Sequence, residues 1–139
     1  MGMYTEIYVN VDLKKDTPDD VIEVLKVMCD MGSDPEVMDN YPARWAYMFN
    51  SGSYYTPNTY CHSLTVDDVT QRWSLLGKGD IKNYSGEIEK FFEWIIPYVD
   101  GCPGDFIGYS RYEEDSQPTL VFLPEKLAQD LTNPPVDAL

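Results

Sequence analysis

The sequence predicts a single α+β domain in which two helices pack on one face of a mainly antiparallel sheet of about five to six strands. Alternating apolar runs separated by turn signals predict the strands, and two stretches with helical spacing predict the helices. Aromatic residues make up 14% of the 139-residue chain, which is enough apolar surface to offset the entropy of folding. We place the domain at 1–123 and expect a peripheral tail at 124–139.

The first two elements follow from residue spacing. Apolar and polar side chains alternate between residues 4 and 13, which is typical of a strand with one buried face. The motif Thr17-Pro18-Asp19-Asp20 then supplies a capping hydroxyl, a proline for the first helical position and carboxylates for the first turn. We therefore predict a helix near 18–31, with Gly32 placed to end it.

The middle of the chain is predicted to contain little helix. Two prolines and the lack of a sustained period indicate an acidic loop at 33–43, and 44–49 has the content of a short helical turn. Three strands are predicted after it, at 53–56, 60–66 and 71–81. Gly77 and Gly79 weaken the last of these strands and indicate a bulge.

A second helix and a hairpin complete the predicted fold. Residues 85–99 carry a broad apolar stripe at helical spacing, while charged side chains occupy the opposite face. Residues 105–112 and 118–123 flank an acidic turn and are predicted to form the hairpin. One face of the sheet is then left partly open, and exposed aromatics there would invite self-association as a homodimer.

The charge of the chain limits its partners. Twenty-four Asp and Glu against ten Lys and Arg give a net charge of −14. Such a surface repels nucleic-acid phosphates and anionic lipids, and it favours a protein partner with a basic surface. Because of this repulsion we expect no direct nucleic-acid binding. The first residues lack the features of a signal peptide and no apolar run approaches about 20 residues, so we expect a cytoplasmic location and no membrane binding.

No catalytic, metal or cofactor motif of high specificity occurs in the sequence. His62 is the only histidine; it lies beside Cys61, but the three or four convergent ligands that a metal needs do not stand near it in the sequence, and the three cysteines form no C-x-x-C pair. The acidic stretch at 112–115 lacks the spacing of a calcium loop and is interpreted as a solvated turn. We expect no catalytic residue, no metal and no cofactor, and we rank an enzyme last among the function classes.

Tyrosines provide the more useful indication of function. Eleven of them exceed what a small core absorbs easily, and tyrosine is enriched at protein interfaces. The alternative, that the hydroxyls lie at the rim of a packed sheet, stays open. Alternation along the strand places Tyr109, Arg111 and Glu113 on one face. The predicted binding residues are Tyr54, Tyr55, Tyr109, Arg111, Glu113 and Glu114.

Two functions fit these residues. The first is a non-enzymatic acidic protein that binds a basic site on another protein, in the manner of a DNA-charge mimic. The second is a small-ligand protein in which Tyr54, Tyr55, Tyr109 and Arg111 line a pocket for a nucleotide-like molecule, because a guanidinium among aromatics can stack on a base or hold a phosphate.

Three stretches of the chain together resemble a known family. They are Arg44-Trp45 with Ser53-Tyr54-Tyr55, then Lys82-Asn83-Tyr84 with Glu87-Ile88, Trp94 and Pro97, and lastly residues 106–114 with Pro118-Thr119-Leu120. From about Tyr4 to Val121 the chain resembles a family of small acidic proteins, functionally uncharacterised, from bacteriophages and prophage regions. The resemblance implies a phage accessory protein that acts by binding in the host cytoplasm, for example as an antagonist of a host defence protein.

Overall fold

A computed structural model describes residues 3–32, 34–53 and 60–125. They form five strands and two helices, with 3₁₀ turns between some of them. The strands are β1 (Thr5–Asp12), β2 (Cys61–Val66), β3 (Trp73–Ile81), β4 (Phe106–Tyr112) and β5 (Thr119–Phe122), and the helices are α1 (Asp19–Met28) and α2 (Glu87–Ile95). The sheet order is β2-β3-β1-β4-β5 with every neighbouring pair antiparallel, so the predicted α+β class is confirmed.

Strand β1 lies at the centre of the sheet, as the third of its five strands. It pairs with β3 over all eight residues and with β4 from Thr5 to Val9. Its alternation is the one that the sequence predicts: Ile7, Val9 and Val11 are buried, while Asn10 and Asp12 are exposed on the other face.

The helical layer covers one face of the sheet and encloses an aromatic core. Trp45, in the 3₁₀ turn Ala43–Tyr47, stands edge-on to Phe91 of α2 at a centroid distance of 5.5 Å, and Phe49 meets Phe91 at 5.7 Å. The buried indole N–H of Trp45 donates to the Glu87 carbonyl at 2.9 Å, which satisfies its only donor. Rings packed in this way fix the 3₁₀ turn against the start of α2.

Both helices are shorter than the sequence predicts. Helix α1 ends at Met28 because Asp30, with φ of 58°, takes the left-handed position that we assigned to Gly32. The Met31 N–H then donates to the Lys26 carbonyl and the Asp30 N–H to the Val27 carbonyl, which is the Schellman pattern. Helix α2 gives way to a 3₁₀ turn, Ile96–Tyr98, because Pro97 has no N–H to continue the ladder.

The predicted bulge at Gly77 and Gly79 is wrong. Strand β3 keeps an unbroken register with β1, and its glycines are required by close approach instead. A Cβ on Gly77 would lie 2.6 Å from the Phe49 ring, and one on Gly79 would overlap the Met48 carbonyl oxygen. The irregularity in the sheet lies in β4, between Phe106 and Gly108.

Three further predictions concern residues 33–43, 53–56 and 124–139. The first segment, predicted as a loop, contains a 3₁₀ turn at Pro35–Met38. Of the second, only Ser53 is described, and it lies outside the strands. Of the tail, residues 126–139 lie outside the described residues.

Candidate functional site

The sheet face opposite the helices carries an apolar strip made of Phe106, Leu120 and Phe122. These side chains are 48%, 50% and 48% exposed. Phe106 is opposite Phe122 in register, and their rings meet at 5.7 Å. Contiguous exposed apolar side chains of this kind mark interaction surfaces more often than isolated ones do. The strip therefore defines the candidate site.

Tyrosines extend this strip toward the centre of the sheet. Tyr109 is opposite Leu120 on one side and opposite Tyr8 on the other. The two tyrosine rings stack with centroids 5.3 Å apart and planes 24° from parallel. Two half-buried tyrosines, Tyr8 of β1 and Tyr109 of β4, thus form a row that meets Leu120 of β5 on the open face of the sheet.

A polar cluster of Glu6, Lys78, Tyr109 and Arg111 adjoins this row. Glu6 is only 5% exposed, and its Oε2 accepts a hydrogen bond from the Tyr109 hydroxyl at 2.9 Å and lies 3.3 Å from Lys78 Nζ. Arg111 is opposite Glu6 in register, and its Nε donates to the Asp115 carbonyl at 3.2 Å. Because a nearly buried carboxylate needs such partners, the cluster fixes Tyr109 in place.

The other predicted binding residues occupy different settings. Strand β4 ends at Tyr112, so Glu113 lies beyond it; its Oε1 accepts from the Tyr4 N–H at 2.7 Å, and its own N–H donates to the Tyr4 carbonyl at 3.0 Å. Glu114 is exposed in the turn that follows. Tyr54 and Tyr55 lie outside the described residues. The structure thus places Tyr109 and Arg111 on one sheet face, while the Glu113 carboxylate binds the main chain of Tyr4, the residue before β1.

An acidic cleft beside the apolar strip was missed by the sequence reasoning. It has a volume of about 170 Å³, and its walls include Asp12, Asp100, Asp105 and Phe106. Asp100 pairs with Arg72 at 2.7 Å, but both side chains are well exposed, so water and salt weaken the attraction. Phe106 belongs to both features, and the cleft therefore continues the apolar strip.

The cleft is acidic because of topology. Asp12 ends β1, Asp100 follows the second helix and Asp105 precedes β4. The Asp100 N–H donates to the Asp12 carbonyl at 2.8 Å, which joins segments far apart in the sequence. No local motif announces such a cleft; each of these residues by itself resembles a solvated turn acid.

The histidine and cysteine side chains provide no further candidate site among the described residues. His62 Nδ1 lies 3.1 Å from the Phe49 carbonyl, a contact suited to an N–H donor. Burial raises the pKa of the Cys29 thiol to about 12, so it stays protonated and unreactive. Within the described ranges, no three His, Cys, Asp or Glu residues are grouped to hold a metal ion.

Comparisons with known proteins identified no relative of this chain. The chain matches no protein-family model, no curated protein and no solved structure. None of the helices in the described part of the chain has the length and apolar character needed to cross a bilayer.

Proposed function

We propose that this protein is a non-enzymatic binding module that docks a basic surface of another protein on the open face of its sheet. The observation that supports the proposal is the continuity between the apolar strip and the acidic cleft through Phe106. Interfaces of this type combine a buried apolar centre with a charged rim, and the centre supplies most of the affinity.

The charge of the chain favours the same partner. A net charge of −14 attracts basic surfaces over about a Debye length, ~10 Å at moderate salt, and raises the rate of encounter. The cleft carboxylates would then meet lysine or arginine side chains of the partner, while Phe106 and Phe122 contact its apolar surface. Association should accordingly weaken as salt is added.

The resemblance to small acidic phage proteins leads us to a more specific proposal. In it, the protein is a phage accessory factor in the host cytoplasm that inhibits a host protein, either as an antagonist of a defence protein or by presenting DNA-like negative charge. This step rests only on the resemblance of the sequence to that family, whereas the proposed binding surface is argued from the contacts above.

The test compares capture of host proteins by the full chain and by surface variants. The expected partner is a host protein that the immobilised chain retains and that added salt releases. Phe122→Ser should abolish its capture, because the substitution removes one of the two rings that form the Phe106–Phe122 contact. Val69→Ser is the matched control, since Val69 is 90% exposed in a turn away from the strip. Asp100→Asn should weaken capture at low salt more than at high salt.

Three outcomes would contradict the proposal. One is capture that survives Phe122→Ser. Another is capture that Val69→Ser lowers equally. The last combines two observations: analytical ultracentrifugation shows that the chain is a dimer, and Phe122→Ser makes it a monomer without changing capture. The apolar strip would then serve self-association. Thermal melts of each variant show whether it stays folded, because substitutions at such exposed positions usually change stability by no more than about 0.5 kcal/mol.

A further inference from the structure

A cationic cleft lies apart from the open face, where the 3₁₀ turn Ala43–Tyr47 meets the end of β3. Its volume is about 320 Å³, within the size range of small-ligand sites. It is lined by Tyr4, Arg44, Tyr47, Ser51, Ile81 and Lys82. These six residues include two cations and no carboxylate. In a chain with more than twice as many acids as bases, such a lining is a local reversal of charge.

Arg44 is held in the cleft wall by a fixed ion pair. Its Nη1 lies 2.6 Å from Oε2 of Glu87, whose side chain is only 6% exposed, and its guanidinium lies over the Tyr84 ring at 5.4 Å. The hydrogen bond to Glu87 raises the pKa of Arg44, so the group remains charged. A guanidinium has five N–H donors, and the side chain keeps 31% exposure, so donors remain for a ligand.

Lys82 contributes a charge that no described carboxylate neutralises. The ion pairs among the described residues do not include it. Its Nζ lies 5.8 Å from the centre of the Tyr4 ring, which lines the same cleft. The charge of Glu87 offsets that of Arg44, and Lys82 therefore leaves the residues that line the cleft with a net positive charge.

We propose that this cleft binds a nucleoside monophosphate, with the phosphate between Arg44 and Lys82 and the base against a tyrosine ring. Arg44 offers planar donors suited to phosphate oxygens, and Lys82 offers a mobile ammonium. Tyr47 is 46% exposed and presents a ring on which any base can stack. A longer nucleic acid is disfavoured because its phosphates would meet the surrounding negative surface.

A neighbouring cleft provides the contrast. It is slightly larger, about 370 Å³, and lies between the start of α2 and the β4–β5 hairpin. Its lining includes Glu89, Asp115, Tyr84 and Tyr112 and contains no cation. Tyrosines and volume are thus common to both clefts, and the two cations distinguish the one that suits an anion.

The experiment titrates the full chain with adenosine monophosphate by calorimetry at fixed ionic strength. Wild type should show saturable binding to one site, and inorganic phosphate should compete. Lys82→Gln should weaken binding at least tenfold, the usual scale for a lost hydrogen bond to a charged group. Lys90→Gln is the control, because Lys90 is exposed on α2 and lines neither of these two clefts. Neither substitution removes an ion pair described here, so both variants should fold.

Four results would overturn the inference. The first is no saturable binding at millimolar nucleotide, and the second is equal weakening by Lys82→Gln and Lys90→Gln. The third is adenosine binding as tightly as its monophosphate, since the phosphate would then make no contact. The fourth is an oligonucleotide that binds more tightly than the mononucleotide. Lys82→Gln should leave partner capture at the open face unchanged, so the two proposals can fail separately.

Discussion

Replacing Gly79 by alanine should destabilise the protein far more than a single methyl group normally does. Gly79 lies in β3, directly opposite Ile7 of the central strand. An added Cβ would overlap the carbonyl oxygen of Met48, lie 3.0 Å from its carbonyl carbon and 3.2 Å from the Ser51 oxygen. These are backbone atoms, so rotation of a side chain cannot relieve the contact.

The magnitude follows from what must move. Overpacking of this type costs about 1–3 kcal/mol. If residues 48–51 shift away, the hydrogen bond from the Asp80 N–H to the Ser51 carbonyl, 2.7 Å long, is lost; leaving such a buried group unsatisfied costs a further ~1–3 kcal/mol. We therefore expect Gly79→Ala to lower the free energy of unfolding by about 2–6 kcal/mol.

Urea unfolding followed by tryptophan fluorescence provides the assay, because Trp45 and Trp94 pack in the aromatic core. Gly86→Ala is the comparison variant. There the added Cβ meets only Glu89 Oε1 at 3.7 Å, so the cost is that of the left-handed backbone at φ of 73°, about 1–2 kcal/mol. Equal unfolding midpoints for the two variants would refute the close approach of β3 to residues 48–51.

Three further predictions concern single side chains. In native protein a disulfide reagent should label the exposed Cys61 and Cys102 quickly but the buried Cys29 only on unfolding; rapid native labelling of all three thiols would contradict this. Because burial raises the pKa of Cys29 from 9.0 to about 12, the stability that its buried thiol provides should be lost as the pH rises through that range. Burial opposes the ionisation of Glu87, but hydrogen bonds, led by the one from Arg44, lower the pKa of its carboxyl group overall. The ionised carboxylate therefore stabilises the fold at neutral pH, and thermal melts should show this stability lost as the pH falls through the lowered pKa. Glu87→Gln should lose this pH dependence. Arg111→Ala removes a cation from the open face, so capture of a basic partner should be unchanged, or stronger at low salt; weaker capture by a variant whose thermal melt is unchanged would contradict a basic partner surface.

The architecture could be predicted because local patterns record burial. Alternation in β1 and the apolar stripe of α2 follow directly from which face each element buries. Details set by distant contacts could not be predicted in this way. Gly77 and Gly79 look like a weakened strand until Phe49 and the Met48 backbone are placed against them.

The candidate sites were less predictable than the fold. Tyr109 and Arg111 share a sheet face, as alternation predicts, but the contact of Glu113 with Tyr4 depends on where β4 ends. The acidic cleft and the cationic cleft each join segments separated by tens of residues. Sequence composition gives the total charge of the chain; only the fold determines where Arg44 and Lys82 meet.

The central position of β1 has a consequence for how the protein folds. Thr5 pairs with Ile81 on one side and with Tyr112 on the other, so β1 pairs only with strands that come much later in the sequence. Closing such long loops before any pairing energy is gained slows folding, and sheets dominated by distant pairings fold in about milliseconds to seconds. During synthesis the apolar face of β1 would emerge from the ribosome well before its partners, and a chaperone that holds extended apolar segments would have that interval in which to bind it.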